Sequence, residues 1–239
     1  MSDSKNDPNL TRLRENLQKT GQTIAEAATR SGRDSTAVTL VAVTKYLTTS
    51  QTALLPEAGT LALGESRPQQ LWKKGAEIVA PNLQWHLIGH LQRNKIKPTL
   101  PLVSLIHSVD SLRLLEELNR QAALQKRTVP YLLEVNISAD SNKHGFRSKE
   151  IETVLDKVDD YPWLSLRGFM AMASREGGRT RAEADFKKTK QLFDDLKKKH
   201  PQGANLTELS MGMSSDYDLA IEQGATIVRV GSALYEGVF

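Results

Sequence analysis

The chain has 239 residues, no cysteine, and 32 basic against 28 acidic side chains, a net charge of +4. The missing cysteine excludes disulfides, thiolate metal sites and a cysteine nucleophile. The small basic excess lies in dispersed groups such as Lys73-Lys74 and Lys197-Lys198-Lys199, which argues against a nucleic-acid-binding arm. With 39% hydrophobic and 25% charged residues the composition is that of a globular protein. No apolar stretch approaches the roughly 20 residues needed to cross a bilayer, and Met1 to Asn9 lacks the apolar core of a secretory signal, so a cytoplasmic protein is expected.

The first predicted element is an amphipathic helix after Asp7-Pro8, an N-cap candidate with proline at the first helical position. Leu10, Leu13, Leu17, Ile24 and Ala28 recur at helical spacing, and Ser31-Gly32 marks the stop. Eight strand-like runs follow, at 39–45, 61–65, 84–89, 105–110, 129–136, 164–172, 205–213 and 226–231. Helical patterns separate several of them: 111–125 with Leu112, Leu115, Leu118 and Ala122; 181–200 with Ala182, Phe186, Thr189, Phe193 and Leu196; and 216–223 before Gly224. The polar, glycine-paired segment from Ser174 to Thr180 reads as a mobile loop, either simply solvated or gating a site on its rim.

Strands that alternate with helices imply parallel β/α units. Eight of them close into a TIM (β/α)8 barrel. The expected architecture is therefore one α/β domain over residues 1–239, with residues 1–37 as a helical segment packed on the barrel. The rival is a doubly wound open sheet, whose dinucleotide fingerprint is missing: Thr44-Lys45-Tyr46 stands after strand 1 where Gly-x-Gly-x-x-Gly would be.

Lys45 ends the first strand, on the rim where barrel sites are built. Taken alone, a lysine there is more often a surface side chain that follows a strand. Two Gly/Ser-rich segments change that reading, Ser210-Met211-Gly212-Met213-Ser214 and Arg229-Val230-Gly231-Ser232. They fall after strands 7 and 8, where barrels commonly hold phosphate. Gly212 would let the backbone approach an anion, Ser210 could donate its hydroxyl, and Gly231-Ser232 opens a short helix with free N–H groups. An amine facing a phosphate cradle suits a covalently held phosphorylated aldehyde, of which pyridoxal phosphate is the obvious candidate. Arg229 shares a side of its strand with Gly231. It would face a pyridine nitrogen, or else pair with a carboxylate such as Glu65. Tyr46 should point away from Lys45 by strand alternation. His86 and His107 read as hydrogen-bonded barrel residues, and Met170, Met172, Met211 and Met213 as packing or site lining. No His/Asp/Glu set has the spacing of a metal site.

The chain resembles the YggS/PROSC family of pyridoxal phosphate homeostasis proteins, whose barrel is similar to the N-terminal domain of alanine racemase. The motifs run in order from Val41-Ala42-Val43-Thr44-Lys45 through Gly64-Glu65, Trp85-His86-Leu87-Ile88-Gly89, His107-Ser108-Val109-Asp110 and Lys143-His144-Gly145 to Leu209-Ser210-Met211-Gly212-Met213-Ser214 and Val228-Arg229-Val230-Gly231. The resemblance implies that Lys45 holds pyridoxal 5'-phosphate as an aldimine and that Arg229 faces the ring nitrogen. It also implies that Ser210, Met211, Gly231 and Ser232 hold the phosphate. Lys143 corresponds to the family's second lysine, which could assist transfer of the cofactor; otherwise it is an exposed loop lysine. Two positions depart from the pattern. Ser66 stands in place of an asparagine and is carried over as a shorter cofactor contact, and His90 stands in place of a proline. The expected function is a non-catalytic, monomeric carrier that delivers pyridoxal phosphate to apoenzymes. The alternative is an amino-acid racemase, which would need a second acid/base group that the family's racemases take from another domain.

Overall fold

The computed structural model describes residues 7–138, 144–174 and 176–239. Helix α1 (Pro8–Arg30) begins where Asp7 accepts a hydrogen bond from the Asn9 N–H at 2.8 Å. Its buried stripe includes Leu10, Leu13, Ile24, Ala27 and Ala28, with Asn16 and Thr20 buried among them. The strands are β1 (Thr39–Val43), β2 (Ala62–Glu65), β3 (Gln84–Leu87), β4 (Val103–Val109), β5 (Val129–Asn136), β6 (Phe146–Arg147), β7 (Leu164–Ala171), β8 (Glu208–Ser210) and β9 (Ile227–Val230). The helices after α1 are α2 (Thr49–Glu57), α3 (Pro68–Glu77), α4 (Ile96–Thr99), α5 (Leu112–Leu124), α6 (Ile151–Leu155), α7 (Gly178–Lys199), α8 (Tyr217–Glu222) and α9 (Ser232–Tyr235).

All pairings are parallel. β1 lies between β2 and β9, and β4 pairs with β5, so eight strands close into a TIM barrel in chain order. The eight expected strands are all present, most with shorter ends. The ninth, β6, is an addition that the sequence did not reveal. β4 follows β5 only as far as Val109 opposite Leu133, and β6 takes the edge of β5 beyond it, with Val135 opposite Phe146. α7 begins at Gly178, not residue 181, so the polar loop after β7 is shorter than the sequence suggests. No helix among the described residues is long and apolar enough to cross a membrane.

Side-chain alternation divides the interior. Val41, Leu105, Leu132, Met170 and Ile227 form a small apolar cluster inside the barrel, distinct from the larger core between strands and helices. On the outer side sits one buried ion pair. Lys74 of α3 pairs with Glu65 at the end of β2 and also donates to the Thr44 carbonyl at 2.7 Å. The Thr44 hydroxyl donates to the same carboxylate at 2.7 Å, and the Ser66 N–H donates to its other oxygen at 3.2 Å. This cluster pins the two strand ends from which Lys45 and Ser66 emerge. Removing one partner would strand the other charge in an apolar layer. Lys74→Met is expected to cost about 3–5 kcal/mol in urea unfolding, and Glu65→Leu/Lys74→Met to recover most of that loss.

Candidate functional site

The carboxyl ends of the strands open into a cavity of about 990 Å³. β1 stops at Val43, and Thr44-Lys45-Tyr46 turns outward, the Leu47 N–H bonding back to the Thr44 carbonyl at 2.9 Å. Lys45 and Tyr46 therefore both line the cavity, and the Lys45 amine lies 4.8 Å from the Tyr46 ring centroid. Alternation ends with the strand, so Tyr46 does not point elsewhere; its ring is 87% exposed. Ser66 and Ile88 continue the wall, and Met172 and Met213 supply apolar surface. Gly89 is obligatory behind this wall, because a Cβ there would lie 2.2 Å from the Ser66 carbonyl oxygen.

Beside Lys45, on the neighbouring strands, the loops after β8 and β9 supply Ser214, Ser215, Gly231 and Ser232. Ser214 accepts the Gly231 N–H at 3.0 Å, joining the two loops, and Asp216 accepts the Met213 N–H at 2.7 Å. Ser232 and Ala233 open α9, where backbone N–H groups lack intrahelical partners. Of the residues expected here, Lys45, Ser66, Arg229, Gly231 and Ser232 meet at the cavity. Ser210, Met211 and Gly212 are buried beneath it. Gly212 adopts φ +90° and packs where a Cβ would come within 2.6 Å of the Ala220 Cβ. Its carbonyl accepts the Arg229 N–H at 3.1 Å, so it shapes the loop from below. Lys143 lies outside the described residues.

The floor of the cavity is Arg229. Its guanidinium donates to the Ser210 hydroxyl at 2.6 Å and to the Ala171 carbonyl at 3.1 Å. Glu65 is spent on Lys74, so the alternative pairing with Arg229 does not occur. Burial pulls Arg229 down to about 10, which leaves it charged at neutral pH; the charges of Glu134 and Asp216 oppose the shift. Ser210 in turn meets His107 Nδ1 at 2.9 Å, and His107 Nε2 meets His86 Nδ1 at 2.9 Å. Burial pushes His86 down to about 4 and His107 well below its usual range, so both imidazoles are neutral. Protons pointing one way along the chain satisfy each contact once. The two histidines are thus hydrogen-bonded barrel residues, as expected. Glu134 is pushed up to about 7 by burial and by Asp110, while Arg229 and His90 pull it down.

Sequence reasoning named Ser214 only within its motif, and gave no role to Tyr235 on the cavity wall or to Glu134 near Arg229. The Tyr235 phenol belongs to a residue lining the cavity, and its oxygen is buried without a partner among the described residues. Ser214 is the last residue of the Ser-Met-Gly-Met-Ser motif, so a signal was present. Glu134 shares a mostly apolar strand with Asn136, and its carboxylate among apolar neighbours was the signal available.

The alanine racemase N-terminal domain family model matches residues 9–237. The pyridoxal phosphate homeostasis protein of Pseudomonas aeruginosa is 34% identical over 226 residues, covering 95% of this chain and 96% of that one. The chain belongs to this family. Among solved structures, a protein from Bifidobacterium adolescentis superposes with a TM-score of 0.86 at 32% identity, covering 96% of both chains. The Synechococcus elongatus protein PipY, solved with pyridoxal phosphate bound, superposes with a TM-score of 0.77 at 34% identity. That match covers 83% of this chain and 92% of PipY.

The neutral histidine pair sets an acid limit. Its sign follows from a folded-state value of about 4 for His86 against 6.5 for an unperturbed imidazole. The contribution is complete above about pH 6.5 and is lost as pH falls toward 4. Glu134 runs the other way, its contribution complete below about 4.5 and lost as pH rises through about 7. Urea midpoints measured from pH 7 to 4 are expected to fall for the native chain and to fall less for His86→Gln, the difference reaching on the order of 3 kcal/mol.

Proposed function

We propose that this chain binds pyridoxal 5'-phosphate in the cavity and acts as a non-catalytic carrier in its homeostasis. One observation carries the reading: the Lys45 amine and the serine-rich turns after β8 and β9 open into one cavity whose floor is a guanidinium. The donor set fits the group. Two cations, the hydroxyls of Ser214, Ser215 and Ser232, and the first N–H groups of α9 suit a dianionic phosphate on an aldehyde-bearing ring. Lys45 would hold the cofactor covalently through its amine, and Ser66 would border the ring.

When bound, the cofactor supplies a reactive aldehyde and a ring able to withdraw electrons if its nitrogen is protonated. Arg229, which stays charged and can only donate, would discourage that protonation. Ser210, His107 and His86 hold the guanidinium in place and supply no mobile proton of their own at neutral pH. Lys45 and Tyr46 leave the same turn, whereas racemisation needs acid/base groups on opposite faces of a carbon. This geometry favours the carrier over the racemase. PipY with its pyridoxal phosphate supports the choice of ligand. We further place the carrier in the cytoplasm as a monomer, with pyridoxal phosphate enzymes in their apo form as recipients.

The loaded protein should be yellow, and borohydride should fix the cofactor to the peptide containing Lys45. Lys45→Ala should yield no fixed adduct by mass spectrometry; trapping on another lysine in the native chain would overturn the assignment. Incubated with amino acids in deuterated water, the loaded protein should incorporate no α-deuterium at turnover rates. Catalytic incorporation or inversion, followed by NMR, would show an enzyme instead.

A further inference from the structure

Three side chains outside the cavity converge on the rim of the barrel. His90 follows β3, Asp110 follows β4, and His144 stands two residues before β6. His90 Nδ1 lies 2.9 Å from Asp110 Oδ2, and His144 Nδ1 lies 3.6 Å from the same oxygen. The two imidazoles stack, with centroids 4.4 Å apart and planes at 18°. One ligand atom from each residue falls within 4.8 Å of the others. We propose that His90, Asp110 and His144 bind a divalent d-block cation of the zinc class.

The backbone holds each contributor in place. The Ser108 hydroxyl donates to the Gly89 carbonyl at 2.6 Å, tying the residue before His90 to the strand that ends at Asp110. Gly145 takes φ +105°, and a Cβ there would lie 2.8 Å from the Glu134 carbonyl oxygen, so the chain beside His144 runs flush against β5. The parting of β4 and β5 above Val109, filled by β6, makes room for the group between them. The Asp110 side chain is 9% exposed, while those of His90 and His144 are 45% and 64% exposed. A carboxylate so placed is a fixed acceptor, and the two rings keep the freedom to turn toward a shared ion.

The donor set selects the ion. Two imidazole nitrogens and one carboxylate oxygen suit zinc, cobalt, nickel or copper, whereas magnesium and calcium prefer oxygen throughout. Ligand atoms around tetrahedral zinc lie roughly 3.3 Å apart, given bonds of about 2.0 Å. The 2.9 and 3.6 Å separations from Asp110 bracket that value. Three protein ligands leave one position for water or an outside ligand. No sequence spacing marks this set, because its members come from three loops.

The test is calorimetric titration of Zn²⁺ into the full chain without a histidine tag and free of pyridoxal phosphate, which would itself chelate the ion. A cofactor-free state is reasonable, since PipY has also been solved without pyridoxal phosphate. One ion should bind per chain. His90→Ala, His144→Ala and Asp110→Asn should each weaken binding by at least about tenfold, the loss that even outer partners of a metal site produce. His200→Ala, which removes a histidine paired instead with Asp156, should leave the affinity unchanged. The two rim histidines are exposed, so their loss does not threaten folding. Absence of a one-to-one isotherm, or an affinity in all three rim variants equal to that of the native chain, would overturn the proposal.

Discussion

The structure depends on keeping one cation, Arg229, charged inside a closed barrel. A guanidinium removed from water must find acceptors, or its burial costs several kcal/mol. Here a hydroxyl and a carbonyl accept directly, and the Glu134 carboxyl contributes from nearby. Meeting this demand divides the interior into two storeys. Below lies the apolar cluster of Val41, Leu105, Leu132, Met170 and Ile227; above it runs the polar line from His86 to Arg229. Ser210 is held in that line, and the serines that reach the cavity are Ser214 and Ser215 farther along the loop.

The neighbouring wall follows a different logic. Lys45 stands on a short turn open to solvent, yet Thr44 just before it is clamped by Lys74 and Glu65. The turn is thus firm at its base and free at its tip, while the guanidinium beside it is held by the Ser210 hydroxyl and the Ala171 carbonyl.

Much of the fold was legible because a buried parallel strand is an apolar run whichever way its residues face. Most barrel strands carried that mark, whereas β3 (Gln-Trp-His-Leu) and β8 (Glu-Leu-Ser) were found from their spacing among the helices. β6 did not, since two residues have no period to read. The start of α7 was hidden by Gly177 and Gly178, whose composition reads as a loop until the following residues commit to the helix. For the site, residue type identified Lys45, Gly231 and Ser232, but type alone could not say that the Ser210 hydroxyl belongs to Arg229. Tyr46 was misplaced because alternation was extended past Val43, where the strand ends. The rim histidines were invisible for the same reason that most loop-built sites are: only the closed barrel makes neighbours of residues 90, 110 and 144.

The helix that begins the described chain is fastened to its far end. Asn16 of α1 donates to the carbonyls of Leu234 and Glu236, at 3.0 and 2.9 Å, and so secures the turn that contains Ser232. Domains made on a ribosome tend to organise from their leading end as the chain emerges. This one cannot finish in that order. Its first helix must wait for residues more than two hundred positions later before either segment is settled, so the wall around Ser232 closes only through a contact of high sequence separation, the kind that slows folding.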